Sequence, residues 1–387
     1  MKNLKTFLLL SACMVSVPYA WAREPLVVFF IDPSYDRYSG DAMLVCTPGG
    51  RHYVIDGGMM NAGYPSWDCG EERILPILDS LGVTLVDGVV GTHPDADHVG
   101  GLISVYRSMP VGTAYDSGWP YGGTWIYRNY LEAIWDNGAN FVTPRRGDVL
   151  NWGPELQVEV LHPTKRLSQS NTNNASLVIR LTYGETTFLF TGDLETEGGE
   201  DAVLAALGTG EIKNISADVL KIAHHGSASS TCPQWLDAVN PAIAAICVGS
   251  GNPYGHPSKE ILQLLEANGV EVCRTDLIGT FYISTDGKNI YVNEMPPEGS
   301  GRADDFIVYP SPAVSTVNFA SDAGSDRVRE ISVYNLNGER VMYVENPGEL
   351  HTWDLRVPGG FASPGLYAAV FTTYGGESCR VYFTICR

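Results

Sequence analysis

The segment "VVGTHPDADHVGG", residues 89–101, sets the strongest limit on how this chain folds. The apolar run "LVDGVVGT" leads into it, and "HVGGLISVY", which reads as the start of a helix, leads out. His93, Asp95, Asp97 and His98 therefore fall on a turn at the C-terminal end of a strand, where α/β sheets place their ligands. In an extended turn His93, Asp95 and Asp97 alternate outward, and His98 points to the other side of the ridge. Such a segment serves two neighbouring metals, with Asp97 and His98 on one and His93 and Asp95 on the other. Pro94 and Ala96 are stiff or small spacers. An EF-hand is excluded, because the central glycine and closing glutamate are missing.

A paired metal site needs further donors at other strand ends. "FLFTGDLE" ends a strand with Asp193, "VLKIAHHGS" ends one with His224 and His225, and "HYVIDGG" ends one with Asp56. "SNTNNASLV" puts Asn171, Asn173 and Asn174 just before a strand. Any one of these could be turn chemistry; five polar clusters at strand ends are hard to explain that way.

The pattern around these clusters divides the chain. Residues 1–22 read as a signal peptide: a basic "MKNLK", an apolar "TFLLLSACMVSVPYA" and the small-x-small site "AWA". A lipoprotein box, "LSAC" with Cys13, is the alternative. Residues 23–294 alternate strand-like runs such as "PLVVFFID" and "TTFLFTGD" with helix-like runs such as "EERILPILDSLG" and "SKEILQLLEANG", which predicts a layered α/β domain. Residues 295–305 form a Pro/Gly/Asp-rich linker. Residues 306–387 are all β, with Asn337-Gly338 between two strands as a hairpin signal and further short strands implying a small sandwich. No later apolar run is long enough to span a bilayer. Seven cysteines follow the cleavage site, an odd number without a CxxC, so no disulfide is assigned.

Taken in order, "THPDADHVGGL", "TGDLE" and "HHGS" resemble the metallo-β-lactamase superfamily. A wider set, "DAMLV", "DGG", "NNASLVIRLTYG", "FLFTGDLE", "ADVLKIAHHGS", "NPYGHPS" and "RTDLIGT", resembles the extracellular nuclease-like domain of the ComEC competence proteins over residues 27–292. The resemblance implies a four-layer αββα fold holding two divalent metal ions, Zn²⁺, Mn²⁺ or Mg²⁺. It implies His93, Asp95, Asp97 and His98 as the main ligand turn, Asp193 as a bridging carboxylate, and His225, with His224 beside it, closing the second site. Asp56 would stand behind the ligands and hold the turn. Asn173 and Asn174 occupy the place where many relatives carry another ligand histidine. Asp97 would orient the attacking water or take its proton, and His256 in "YGHPS" would protonate the leaving oxygen. The tail motifs "VYPSPA", "ISVYNLNGERV" and "GLYAAVF" resemble the C-terminal sorting domain of type IX secretion cargo, which implies export machinery as a partner.

This chain departs from the family in two places. The common turn is HxHxDH, and here its second histidine is Asp95. Oxygen donors in place of nitrogen make Mn²⁺ and Mg²⁺ plausible beside Zn²⁺ and argue against β-lactam cleavage. The turn "FFIDPSYDRYSGDAML" is longer than the family's "DVGQGD" and carries Tyr35 and Tyr38.

The expected activity is phosphodiester hydrolysis by a metal-bridging hydroxide, on DNA, nucleotides or a wall phosphodiester, by a secreted, periplasmic or cell-surface protein. The net charge of -19 opposes DNA tracking by bulk charge, and Arg145, Arg146, Lys165 and Arg166 are small basic spots at most. Lactone or ester hydrolysis on the same fold, and a non-catalytic protein with a structural metal, are the competing readings.

Overall fold

A computed structural model of the chain describes residues 25–34, 40–61, 66–120, 124–165, 171–293, 306–309, 316–321, 328–335, 339–347, 350–357, 360–363, 365–374 and 378–385. The signal-peptide and linker segments, Cys13, Tyr35, Tyr38, Arg166 and the Asn337-Gly338 turn lie outside the described residues.

Two sheets carry the fold up to residue 293. The first has eight strands in the spatial order Ile290–Val292, Phe281–Thr285, Leu26–Phe30, Ala42–Cys46, His52–Gly57, Val86–Gly91, Val111–Asp116 and Asn140–Val142. The second has seven: Glu271–Arg274, Ile243–Ile246, Val219–Lys221, Thr186–Phe190, Val178–Tyr183, Leu156–His162 and Val149–Leu150. Each sheet is antiparallel on one side and parallel on the other. The parallel half of the first runs from His52–Gly57 to Asn140–Val142. That of the second runs from Thr186–Phe190 to Glu271–Arg274.

Strands such as Leu26–Phe30 and Ile243–Ile246 read as unbroken apolar runs because both of their faces are buried. Along Leu26–Phe30, side chains alternate between two cores. Leu26, Val28 and Phe30 enter the core between the sheets, packing with Phe188, Phe190 and Ile283. Val27 and Phe29 enter the outer core, with Leu78, Leu102, Ile103 and Tyr130 from the helices. The far face of the second sheet buries Leu189, Leu220 and Ile246 against Val203, Trp235, Leu236, Ile261 and Leu265 of its own helices. Helices, sheet, sheet and helices make the four layers.

The expected helices lie at Leu75–Ser80, Leu102–Ser108 and Lys259–Ala267. The last is capped by Ser258, whose hydroxyl accepts from the Ile261 N–H. Helices Trp125–Asn137, Asp201–Thr209 and Pro233–Val239 complete the outer layers and were not anticipated from the sequence.

The ligand turn needs one correction. It is not extended throughout: Asp95 is extended, but Ala96–Val99 forms a helical turn, so Asp97 and His98 sit on helical backbone. Two glycines allow this turn to press on its neighbours. A Cβ on Gly101 would lie 2.1 Å from the Gly57 carbonyl oxygen, and one on Gly40 would lie 2.2 Å from that of Asp97.

The C-terminal strands form a three-stranded sheet (Phe306–Tyr309, Val317–Ser321, Leu350–Trp353) and a four-stranded sheet (Arg340–Glu345, Val328–Asn335, Gly365–Thr373, Ser378–Ile385). Their core holds Phe319, Ile331, Val333, Trp353 and Phe371, so the Trp353 of "TWDLRV" is a packing residue.

Gly101→Ala is expected to lower stability by about 1–3 kcal/mol, because the clash is with backbone and cannot be relieved by a rotamer change. Denaturant unfolding of the variant beside wild type measures it; an unchanged midpoint would refute the packing argument.

Candidate metal centre

The C-terminal ends of parallel strands from both sheets meet at one edge. Val86–Gly91 delivers Thr92 to His98, His52–Gly57 delivers Asp56, Thr186–Phe190 delivers Asp193, and Val219–Lys221 delivers His224 and His225. Asp56, His224 and His225 have φ of 55°, 50° and 53°, a left-handed conformation disfavoured for side chains of this size. Backbone strain is thus spent where these side chains must turn into the centre.

His93, His98, Asp193 and His225 are buried at the floor. The Asp193 Oδ2 atom lies 3.2 Å from His98 Nε2, 3.5 Å from His225 Nε2, 3.8 Å from His224 Nε2 and 3.9 Å from His93 Nε2. Potential donor atoms gather in overlapping sets, including His93–His98–Asp193 and Asp97–His98–His225, with the atoms of each set within 4.8 Å of one another. His98 belongs to both. With Nδ1 committed to Asp56, His98 has one inward nitrogen and can serve one ion of a pair.

Hydrogen bonds fix which ring nitrogen faces inward. His225 Nδ1 lies 2.9 Å from the Cys247 carbonyl oxygen, which only accepts, so Nδ1 carries the proton. Thr92 Oγ1 donates to Asp56 Oδ2 at 2.7 Å, leaving it to accept from His93 Nδ1 at 3.1 Å. His98 Nδ1 donates to Asp56 Oδ2 at 2.8 Å. Asp56 also accepts from the Thr92 N–H at 2.8 Å and so stands behind the ligand turn. The result is that Nε2 of His93, His98 and His225 all face the same space. These three atoms and Asp193 Oδ1 are buried without a hydrogen-bond partner. Buried polar atoms are rarely left so, and four of them at one point fit a bound cation.

The charges say the same. Burial alone would depress the imidazole of His225, but Asp193 and Asp41 carry it up to about 10. Burial likewise opposes protonation of His98, yet Asp193 and Asp56 raise it well above the ordinary histidine value. His93 goes the other way, down to about 3, through burial and the neighbouring His98. Protons on His98 and His225 thus supply positive charge to an acidic pocket in the metal-free protein.

Asp95, Asp97 and His224 form an accessible rim, with side chains 38%, 29% and 23% exposed. Asp95 Oδ2 is 3.7 Å from His93 Nε2 and accepts from Thr172 Oγ1. Asp97 Oδ2 is 3.5 Å from His225 Nε2. Burial raises the Asp97 carboxyl, but the imidazole of His225, 3.5 Å away, and the charge on His98 outweigh it and bring it down to about 2. Asp97 is thus ionised at neutral pH and a weak proton acceptor, better suited to orienting a water than to taking its proton.

The remaining expected residues stand further out. Asn173 Nδ2 donates to Glu195 Oε1, and Asn174 takes the Glu195 N–H and donates to the Glu197 carbonyl. Both side chains brace the turn after Asp193, whose Glu195 lies 3.5 Å from His224 Nδ1. His256 packs edge-on against the His224 ring at 5.6 Å. Burial, then charge on His225 and His224, lowers the His256 imidazole to about 4. Its ring thus stands beside the ligand turn, one imidazole removed from Asp193. Arg145 and Arg146, expected to be small basic spots at most, turn their guanidinium groups to the backbone carbonyls of Pro144, Ser117, Leu161 and Ala202.

Two residues at the centre were missed. Asp41 and Lys221 are fully buried side chains that form an ion pair. Lys221 Nζ also donates to the Ile222 carbonyl at 2.9 Å, and Asp41 Oδ1 sits 3.1 Å from His225 Nδ1. Burial pushes the Asp41 carboxyl up, but Lys221 and His225 hold it below the usual range. The signal was present in "VLKIAHHG", where a lysine interrupts a buried apolar strand and so demands a buried anion.

A two-sheet αββα sandwich with a His/Asp centre at its seam defines a class of metal-dependent hydrolases. Residues 35–249, more than half of the chain, match the family described as the metallo-beta-lactamase superfamily, and the chain belongs to it. It is 32% identical over 256 residues to ComE operon protein 3 of Bacillus subtilis (strain 168), covering 63% of this chain and 32% of that protein. It is 32% identical over 248 residues to competence protein ComA of Neisseria gonorrhoeae, covering 63% and 31%. The chain thus spans about a third of the length of these curated relatives. Among solved structures, CmlA beta-hydroxylase superposes with a TM-score of 0.42 and 13% identity over 68% of this chain and 54% of that one.

Lys221→Met is expected to destabilise the metal-free protein by about 3–5 kcal/mol, since it strands the Asp41 charge. Adding Asp41→Asn should recover much of that loss. Chemical unfolding of the single and double variants in chelator checks both, and equal stability of the single variant and wild type would contradict the buried pair.

Proposed function

We propose that residues 23–294 form an exported, metal-dependent phosphodiesterase acting on DNA or nucleotide phosphodiesters. The observation that carries this reading is the convergence of four unpartnered, buried donor atoms beneath an accessible aspartate rim. A closed structural site would satisfy its ion with protein alone; a rim open to solvent leaves room for water and substrate. Similarity to two competence proteins supports a polynucleotide substrate.

Two ions agree with the local charge. The five carboxylates of Asp41, Asp56, Asp95, Asp97 and Asp193 face one permanent cation, Lys221, leaving four negative charges for two dications to balance. His93, Asp95 and Asp193 would hold one, and Asp97, His98 and His225 the other, within reach of Asp193. Bound there, divalent ions supply an activated water and neutralise the phosphodiester oxyanion. The chain itself does the rest. Asp56, Thr92 and the Cys247 carbonyl fix three imidazoles with Nε2 inward. Asp97, ionised and partly exposed, accepts a hydrogen bond from water and orients it. His224, braced by Glu195, borders the space a phosphate oxygen enters. The carboxylate donors favour Mn²⁺ or Mg²⁺ beside Zn²⁺.

The supporting roles extend to the rest of the chain. Residues 1–22 serve as an export signal, residues 295–305 as a linker, and the sandwich at residues 306–387 as the address read by a type IX export machinery. That last role rests on the motifs "VYPSPA", "ISVYNLNGERV" and "GLYAAVF". No helix among the described residues is long and apolar enough to cross a membrane.

Asp97→Ala should lower hydrolysis of a DNA oligonucleotide by more than about 100-fold, beyond what partners behind metal ligands usually contribute, while the thermal unfolding profile of the apo-protein stays close to wild type. Metal content of the dialysed variant, measured by mass spectrometry, should fall below that of wild type. Wild-type turnover by the variant, or a lactone cleaved in preference to every phosphodiester, would defeat the reading.

A further inference from the structure

The centre explains how a phosphodiester is held but not how a chain with a net charge of -19 keeps hold of a polyanion. An answer lies beside His224. Tyr254 is 75% exposed, unusual for so large a ring. Its ring stacks on His256 at 5.8 Å between centroids and 28° between planes. His256 in turn meets His224 edge-on at 5.6 Å and 73°, and His224 lies 3.8 Å from Asp193. A file of rings therefore runs outward from the metal centre and ends in a bare tyrosine face.

The loop that carries this ring is held in place. Asn252 Oδ1 accepts from the N–H groups of Tyr254 and His256 at 3.2 and 3.1 Å. Its Nδ2 donates to the carbonyls of Gly249 and His256 at 3.1 and 2.7 Å. The Ser258 N–H donates to the Gly226 carbonyl at 2.8 Å, tying the loop to the turn that bears His224 and His225. Gly226 itself leaves only 2.5 Å between a built Cβ and the Pro257 Cβ. The aromatic face is thus pre-set relative to the ligands, so little ordering entropy is lost when a planar group lies on it.

We propose that Tyr254, backed by His256, is a stacking platform for an unpaired nucleobase next to the phosphodiester at the centre, which makes single-stranded polynucleotide the preferred substrate. The proposal rests on the phosphodiesterase reading and adds the substrate class to it. Stacking suits this chain because every base has a π-face and stacking needs no basic groove. A base in a duplex is already stacked and cannot offer its face.

The test compares wild type, Tyr254→Ala and Tyr254→Phe on a single-stranded DNA oligonucleotide, the same sequence as a duplex, and a single strand whose central nucleotides are abasic. Hydrolysis kinetics are measured, and binding is read separately by fluorescence anisotropy with Ca²⁺ or EDTA in the buffer. Tyr254→Ala is expected to weaken binding and raise KM on the single strand roughly tenfold or more, with little change in kcat. Tyr254→Phe should match wild type, and the abasic strand should not distinguish the proteins. Equal losses on normal and abasic strands, a Phe variant as defective as the Ala variant, or an Ala variant like wild type would each overturn the platform. If wild type hydrolyses no oligonucleotide, the phosphodiesterase reading fails, and anisotropy alone decides the platform: ring-dependent binding sustains it, and binding that is absent or unaffected by Tyr254→Ala ends it.

Discussion

The carboxylate of Asp193 is the point on which this structure depends. It is delivered by the second sheet, yet its nearest imidazole, His98 at 3.2 Å, comes from the first. The two sheets are otherwise joined by apolar packing, which is strong but indifferent to small slides between layers. The His/Asp cluster adds direction. Its members lie on turns at parallel strand ends, so the centre forms only when the two sheets stack in one register and one orientation. The inter-sheet core of Val28, Phe30, Ile179, Phe188 and Phe190 sets the spacing, and the seam residues use it.

Behind that seam the Lys221–Asp41 pair does a second job. Asp41 precedes a strand of the first sheet and Lys221 ends a strand of the second, so the pair is another link between layers. Asp41 also reaches His225 at 3.1 Å, on the same nitrogen that the Cys247 carbonyl engages. A ring held by two acceptors on one side has its opposite nitrogen aimed into the centre. Buried ion pairs are weak contributors to net stability. This one is better understood as aligning a ligand, with the backbone approach at Gly40 bringing Asp41 close enough to act.

Much of this was legible in the sequence, for physical reasons that differ by residue. Strands such as Leu26–Phe30 and Ile243–Ile246 announce themselves because burial on both faces leaves no room for a polar residue. The positions of His93, His98, Asp193 and His225 stand out because several ionisable residues at strand ends have no packing explanation. In Trp125–Asn137 the buried Tyr127, Tyr130, Ala133 and Ile134 do recur at helical spacing, but the exposed rings of Trp125 and Trp135 put apolar residues on the other face and blur the period. The helical start at Ala96 was hidden because Asp95 is extended and nothing but backbone contact with neighbouring strands dictates where the turn tightens. Asp41 looked like an ordinary residue before a strand; only its distance from Lys221, 180 positions away, gives it meaning. Long-range charge pairing leaves no local trace.

The same contrast separates the floor of the centre from its rim. At the floor, each histidine has one nitrogen committed to a partner from its own scaffold, so neither tautomer nor orientation is free to vary. At the rim, Asp95, Asp97 and His224 are tied more loosely and meet solvent. Replacing a rim imidazole by the Asp95 carboxylate leaves the floor geometry intact while adding negative charge where substrate enters. Negative charge there repels a phosphodiester unless cations cover it. On the proposed phosphodiesterase reading, an acidic rim on an acidic chain would make catalysis and substrate affinity depend on the same bound ions, and an uncharged contact such as an exposed aromatic face would be a means of recognition that those ions do not control.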